Sequence, residues 1–137
     1  SGPTWSGAMS DRIVLDTSVL LYWTLDPARL SYRARQVLDV ASDRLVLSVS
    51  LWEIALKANR GRLELPLELD EYVLRLARVE GLEIVAVDTE TAVRGAGLEW
   101  EHRDPVDRWI IAFAERLNVP LVTSDVTMRA FSTLAVW

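Results

Sequence analysis

Ile13-Val14-Leu15-Asp16-Thr17-Ser18-Val19-Leu20-Leu21-Tyr22-Trp23 is the stretch on which the fold turns. A short apolar run stops at an acid, and a second apolar run begins two residues later. This pattern predicts a buried strand running straight into a helix. Asp26-Pro27 closes that helix, and Ser31 to Ser42 is a second, amphipathic one with Ala34, Val37, Leu38 and Ala41 at helical spacing. Leu45-Val46-Leu47-Ser48 is the next strand. Leu51 to Asn59 follows as a helix apolar on most sides, broken by Glu53 and Lys57 and stopped by Gly61.

The alternation continues to the end of the chain. A helix is expected from Leu69 to Glu80, ended by Gly81, and then a strand from Leu82 to Val87. Thr89 to Ala96 reads as a weak helix because Gly95 and Gly97 sit at its end. Asp104-Pro105-Val106-Asp107 opens a strong helix to Asn118, with proline at the first helical position, where its missing N–H costs nothing. Pro120-Leu121-Val122-Thr123 is a fourth strand that stops at Ser124-Asp125. A short helix and Leu134-Ala135-Val136 complete the sequence. Strands alternating with helices predict an α/β fold, a three-layer α/β/α domain around a parallel sheet of four to five short strands.

The chain of 137 residues is the right size for one such core. Residues 1–8, small, polar and glycine-rich, read as an expression leader ahead of a natural start at Met9, so residues 9–137 are expected to form the single domain. No apolar run approaches the roughly 18–20 residues of a membrane span, and no signal peptide is evident, so a cytoplasmic protein is expected. With no cysteine, thiol nucleophiles and sulfur-ligated metals are excluded, and His102 is the one imidazole available to any catalytic triad. The net charge of −5 disfavours a broad basic binding surface.

What remains is carboxylate chemistry, and the positions of the acids are informative. In parallel α/β sheets ligands bind beyond the carboxyl ends of the strands, near a switch point in strand order. Asp16 ends the first strand and Asp125 follows the fourth, while Glu53 and Asp107 are expected in about the first turn of their helices. Each also has an ordinary structural reading. Asp16, Asp104 and Asp125 suit helix N-caps, Ser50 to Glu53 fits a capping box, and Glu53 to Lys57 is a favourable i,i+4 pair. Asp107, however, falls on the buried stripe with Ile110, Ile111 and Ala114, and Glu53 is enclosed by apolar neighbours. No basic residue is an evident partner for Asp16 or Asp125. Clustered carboxylates repel unless a cation neutralises them, and an all-oxygen donor set suits Mg²⁺ or Mn²⁺.

Four segments, in this order and spacing, resemble the PIN-domain ribonucleases and, among them, the VapC-type toxins of bacterial toxin–antitoxin pairs. They are Val14 to Leu20, Ser48 to Ala55, His102 to Ala112 and Leu121 to Asp125. The resemblance runs from about Met9 to the end of the chain. It implies an endoribonuclease using one or two Mg²⁺ or Mn²⁺ ions, with Asp16, Glu53, Asp107 and Asp125 as the acidic quartet. It implies direct metal coordination mainly by Asp16 and Asp107. Glu53 and Asp125 then serve a second ion or deprotonate the attacking water, leaving a 5′-phosphate and a 3′-hydroxyl. Asp104 is a further ligand or a helix cap, and Thr17 and Thr123 match hydroxyls that order the site. A VapB-type antitoxin, a homodimer and an RNA substrate are implied as partners.

Fourteen of the 15 basic residues are arginine, whose planar fork suits phosphate. Arg103 and Arg108 are the RNA-binding candidates, with Arg29, Arg33, Arg35, Arg60 and Arg62 as further rim candidates. Surface salt bridging is the ordinary role for most of these. Tyr22, Trp23, Trp52 and Trp109 are expected to fill the core or a protein interface rather than stack bases. Counting Asp16, Glu53, Asp104, Asp107 and Asp125 as one site leaves the rest of the chain with no net charge, since −5 + 5 = 0, so RNA binding near the site is expected to depend on metal.

Three other readings stand beside this one. A PIN-like RNA-processing nuclease without an antitoxin differs only in its partner. A phosphohydrolase of the haloacid dehalogenase type normally needs a second acid two residues after Asp16, where Ser18 stands, and a late lysine, whereas Lys57 is the only lysine. A non-catalytic acidic metal-binding interaction module of the receiver type lacks the same lysine.

Overall fold

The computed structural model describes residues 11–137, so the expected leader and the start at Met9 lie outside the described residues. Five parallel strands form one sheet: β1 (Arg12–Leu15), β2 (Asp43–Leu47), β3 (Leu82–Val85), β4 (Leu121–Val122) and β5 (Ala135–Val136), in the order β3-β2-β1-β4-β5. The chain moves outward from β1 through β2 to β3, then crosses back to lay β4 on the other side of β1. The switch in direction therefore falls between β1 and β4. This is the three-layer fold expected.

Seven α-helices cover the two faces among the described residues: α1 (Thr17–Leu25), α2 (Tyr32–Val40), α3 (Ser48–Asn59), α4 (Leu69–Leu76), α5 (Thr89–Ala96), α6 (Pro105–Leu117) and α7 (Val126–Phe131). Strand alternation divides the core in two. Ile13, Leu15 and Val46 point to the face packed by Val19 and Leu20 of α1, Leu38 of α2, Ile54 of α3 and Leu76 of α4. Val14, Leu45 and Leu47 point to the other face, against Ile110, Ile111 and Phe113 of α6 and Met128 of α7. No helix among the described residues is long and apolar enough to cross a membrane.

Two sequence expectations are corrected, and a third, which put Trp52 in the core or at a protein interface, is narrowed. Helix α3 begins at Ser48, directly after β2, and its N-cap Leu47 makes no side-chain cap bond, so no capping box forms at Ser50. Glu53 consequently sits in the second helical turn, and Ser50 is fully buried. Trp52 is not a core residue: it is 57% exposed, whereas Tyr22, Trp23 and Trp109 are half-buried against the core. Helix α5 is well formed, capped by the Asp88 side chain on the Thr91 amide. Gly95 does not weaken it to no purpose. A Cβ there would lie 2.8 Å from Trp109 Cδ1, so glycine is what lets α5 lie close against α6.

Candidate active site

The sheet topology alone brings the acids together. Leu15 pairs with Val122 in parallel register, so the residues that follow, Asp16 and Thr123, leave the sheet side by side. Helix α3 departs from the carboxyl end of β2. Helix α6 leads back to the start of β4, so its first turn, with Asp107, must lie at that same carboxyl edge.

Asp16 is 6% exposed and tied on both oxygens. Its Oδ1 accepts from the Thr17 amide at 2.8 Å, and its Oδ2 accepts from Thr123 Oγ1 at 2.7 Å. The same Thr123 hydroxyl accepts from the Asp125 amide at 3.0 Å, joining the ends of β1 and β4 through one buried side chain. Thr17 Oγ1 donates to Ser50 Oγ at 2.8 Å, which ties α1 to α3 just below Glu53. Ser50, taken from sequence as a cap, is thus part of the framework under the site.

Burial pushes the Asp16 carboxyl up to about 6, against the opposing pull of the bonds from Thr123 and Thr17, and the neighbouring charges of Asp125 and Glu53 push it further. Asp107 is also pushed up to about 6. Burial is the main cause, the His102 bond opposes it, and the charges of Asp104 and Asp16 add to it. Asp16 thus feels Asp125 and Glu53, and Asp107 feels Asp104 and Asp16, so Asp16 is the carboxylate common to both sets. Among the described residues, no arginine or lysine is ion-paired with Asp16, Asp107 or Asp125, and Lys57 stands 3.7 Å from Glu53.

Asp104 and Asp125 also cap helices. Asp104 Oδ1 accepts from the Val106 and Asp107 amides at 2.9 and 3.3 Å, and Asp125 Oδ1 accepts from the Met128 amide at 2.9 Å. A carboxylate has a second oxygen, so capping does not exhaust either group. Ligand atoms of His102, Asp104 and Asp107 lie within 4.8 Å of one another, a spacing able to surround one ion.

Two residues take roles that the sequence reading did not assign. His102 Nε2 lies 2.6 Å from Asp107 Oδ2, and its ring stands 4.6 Å from Trp100, which stacks in turn on Phe131 at 4.7 Å. Arg108, one of the two RNA-binding candidates, is committed to the protein's own backbone. Its guanidinium is engaged with the backbone carbonyls of Gly95, Ala96, Leu98, Trp100 and His102, at 2.9, 3.4, 2.7, 2.6 and 2.8 Å. These bonds use its five N–H groups, leaving none for a phosphate. Arg108 instead organises the irregular segment between α5 and α6 and holds His102 at Asp107. The signal in the sequence was that segment itself, whose backbone acceptors need donors that no strand or helix supplies. Arg103 lies beside His102 and lines an open depression with Trp100 and Glu101.

The chain is similar to known proteins over most of its length. The PIN domain family profile matches residues 13–134. Ribonuclease VapC22 of Mycobacterium tuberculosis (strain ATCC 25618 / H37Rv) is 30% identical over 119 residues, spanning 86% of this chain and 90% of that protein. Among solved structures, a toxin-antitoxin complex from Klebsiella pneumoniae superposes with a TM-score of 0.65 at 16% identity, covering 91% of this chain and 96% of the other. FitAB bound to an IR36 DNA fragment superposes at 0.57 with 21% identity, covering 90% and 93%. At those identities the two structures speak for the fold alone. The profile and the ribonuclease relative, each covering most of the chain, go further: the chain belongs to the PIN domain family, among its VapC-type ribonucleases.

Proposed function

We propose that the protein is a divalent-metal-dependent endoribonuclease, the toxin of a toxin–antitoxin pair, cleaving RNA at the acidic centre. The observation that carries this reading is the junction at the ends of β1 and β4. There one threonine hydroxyl is bonded to Asp16 and to the Asp125 amide, with Glu53 and Asp107 close enough to perturb Asp16 or be perturbed by it.

The residues fit a hard dication. The donors are carboxylate oxygens with one imidazole nearby, and both Asp16 and Asp107 are disfavoured as bare anions, a penalty that a cation relieves. Asp16 and Asp107 would hold Mg²⁺ or Mn²⁺ most directly, with Glu53 and Asp125 completing the set or serving a second ion, and Asp104 within reach of either role. When bound, the ion polarises the scissile phosphate and offsets charge developing on the leaving oxygen.

The chain's own residues do the rest. The Thr17 amide and Thr123 hydroxyl fix the orientation of Asp16, and His102 fixes Asp107. Glu53 and Asp125 take up the proton of the attacking water. In-line attack by water leaves a 5′-phosphate and a 3′-hydroxyl, and the RNA 2′-hydroxyl is not the nucleophile. A VapB-type antitoxin blocks this centre, the toxin works as a homodimer, and its setting is the cytoplasm. The kinship with a VapC-type ribonuclease supports the antitoxin partner.

The test is cleavage of RNA with Mg²⁺ or Mn²⁺ by wild type, Asp16→Asn and Asp107→Asn, with 3′-end analysis of the products. Both variants should be inactive and the products should end in 3′-hydroxyl. Variants that cut at the wild-type rate, or activity that survives a chelator, refute the metal mechanism.

A further inference from the structure

Beside the acidic centre lies a cleft of quite different chemistry. It has a volume of about 300 Å³ and lies between α3, with the turn that follows it, and the first turn of α6. Glu53 and Asp104 form its border with the acids, and Trp52, Lys57, Arg60 and Arg62 line the remainder that matters here.

Two features set this cleft apart from an ordinary solvated surface. Trp52 immediately precedes Glu53, yet it leaves 57% of its surface in water, apolar area that nothing in the fold covers. Three of the chain's 15 basic residues then gather at the end of α3, Lys57 in its last turn and Arg60 and Arg62 just after it, in a molecule of net charge −5. Among the described residues neither Arg60 nor Arg62 is ion-paired with a carboxylate. Gly61, at φ 69, makes the left-handed turn that brings both arginines to the cleft, and the Arg62 amide is pinned to the Lys57 carbonyl at 2.8 Å. A flat aromatic face flanked by guanidinium forks is the chemistry that accepts an unstacked base and its phosphates. A duplex keeps its base faces covered and cannot use the indole. The apolar groove of about 410 Å³ lined by Trp23, Leu67 and Tyr72 has no carboxylate in its wall and no comparable cationic cluster.

We propose that this cleft seats a single-stranded segment of RNA, with one base stacked on Trp52 and adjacent phosphates on Arg60 and Arg62. The strand thereby passes Glu53 and enters the acidic centre. This rests on the nuclease reading above and assigns the side from which its substrate arrives.

The experiment is fluorescence anisotropy of a labelled short unpaired oligoribonucleotide, and of the same sequence in a duplex, titrated with the full chain carrying Asp16→Asn to suppress cleavage, in Mg²⁺. Trp52→Ala should weaken binding of the single strand roughly tenfold, while Trp52→Phe keeps it within about threefold, because stacking needs a ring and not an indole N–H. Arg60→Ala with Arg62→Ala should weaken it further and flatten the slope of log K against log salt by about 1.4, the share of two phosphate contacts on a single strand. Duplex binding should be weaker and indifferent to Trp52→Ala.

Single-strand affinities unchanged in both sets of variants overturn the seat while leaving the nuclease reading intact, provided the wild type cuts RNA. Conversion of a dimer to monomers by Trp52→Ala in sedimentation, with RNA affinity unaltered, makes Trp52 a contact between copies and also overturns it. Failure of the parent to bind RNA and of the wild type to cut it removes the nuclease reading and the seat together.

Discussion

Replacing Asp16 by Asn should stabilise the metal-free protein at neutral pH while abolishing cleavage. Asp16 is 6% exposed, and its carboxyl stands at about 6 against 3.8 for an ordinary aspartate. A raised carboxyl favours the folded state only while it holds its proton. That contribution is fully present below 3.8 and is lost as pH rises through about 6. The difference of about 2 pH units corresponds to about 3 kcal/mol lost by pH 7 or above. Asparagine cannot ionise and so keeps the low-pH level. Its carbonyl can occupy the place of Oδ1, accepting from the Thr17 amide, while its NH₂ faces Thr123 Oγ1. The threonine hydroxyl must then turn its proton away, and Met128 Sδ, at 3.9 Å, is a weak acceptor in reach. Some of the gain is lost in that rearrangement, which leaves an expected advantage of about 2 kcal/mol.

Urea denaturation in chelator from pH 4 to 8 reads this directly. Near pH 4 the variant should lie slightly below wild type, because only the rearrangement cost is felt there, and it should overtake wild type as the pH rises towards about 6 and be the more stable above it. Adding Mn²⁺ at pH 7.5 should stabilise the wild type by mass action and do much less for the variant. A variant no more stable than wild type at pH 8 in chelator would refute the claim that the site holds Asp16 against its own ionisation.

Three further outcomes follow from the same geometry. Thr123→Val removes the hydroxyl that joins Asp16 to the Asp125 amide, and should lower cleavage about 10–100-fold with Thr123→Ser largely restoring it; equal losses in Val and Ser exclude the hydroxyl as the cause. Arg108→Lys replaces five N–H donors by three and should cost about 2–4 kcal/mol in urea denaturation, whereas a residue serving only at an RNA rim would leave stability unchanged. Gly95→Ala places a Cβ 2.8 Å from Trp109 and should destabilise by about 1–3 kcal/mol by forcing α5 off α6, visible as a lower Tm with no change in metal affinity.

The acids were legible in the sequence and their supports were not, and the reason is physical. Asp16 and Asp125 follow strands, and a parallel sheet leaves little choice about where strand ends go: the register of Leu15 with Val122 sets the two side by side. Asp107 falls in the first turn of a helix that must begin at the carboxyl edge, and its place on the buried stripe shows in the spacing of Ile110 and Ile111. Those inferences need only local periodicity and connection rules. The roles of Arg108 and His102 depend instead on the path of a segment without regular structure, which no periodicity describes. Arg108 stands next to Asp107 in the sequence and reads as one more surface arginine, yet it reaches back across the α5–α6 connection to carbonyls as far away as Gly95. Through the His102 carbonyl it sets the imidazole 2.6 Å from Asp107. Two neighbouring residues in the first turn of α6 thus divide the work, Asp107 facing the acids and Arg108 holding the segment that carries its partner. A substitution at Arg108 should therefore reach the chemistry through His102, and the single histidine makes this visible. If Arg108→Lys lowers cleavage but leaves the His102 ring resonances and their response to Mg²⁺ as in wild type, the coupling through His102 is wrong, however large the loss of activity.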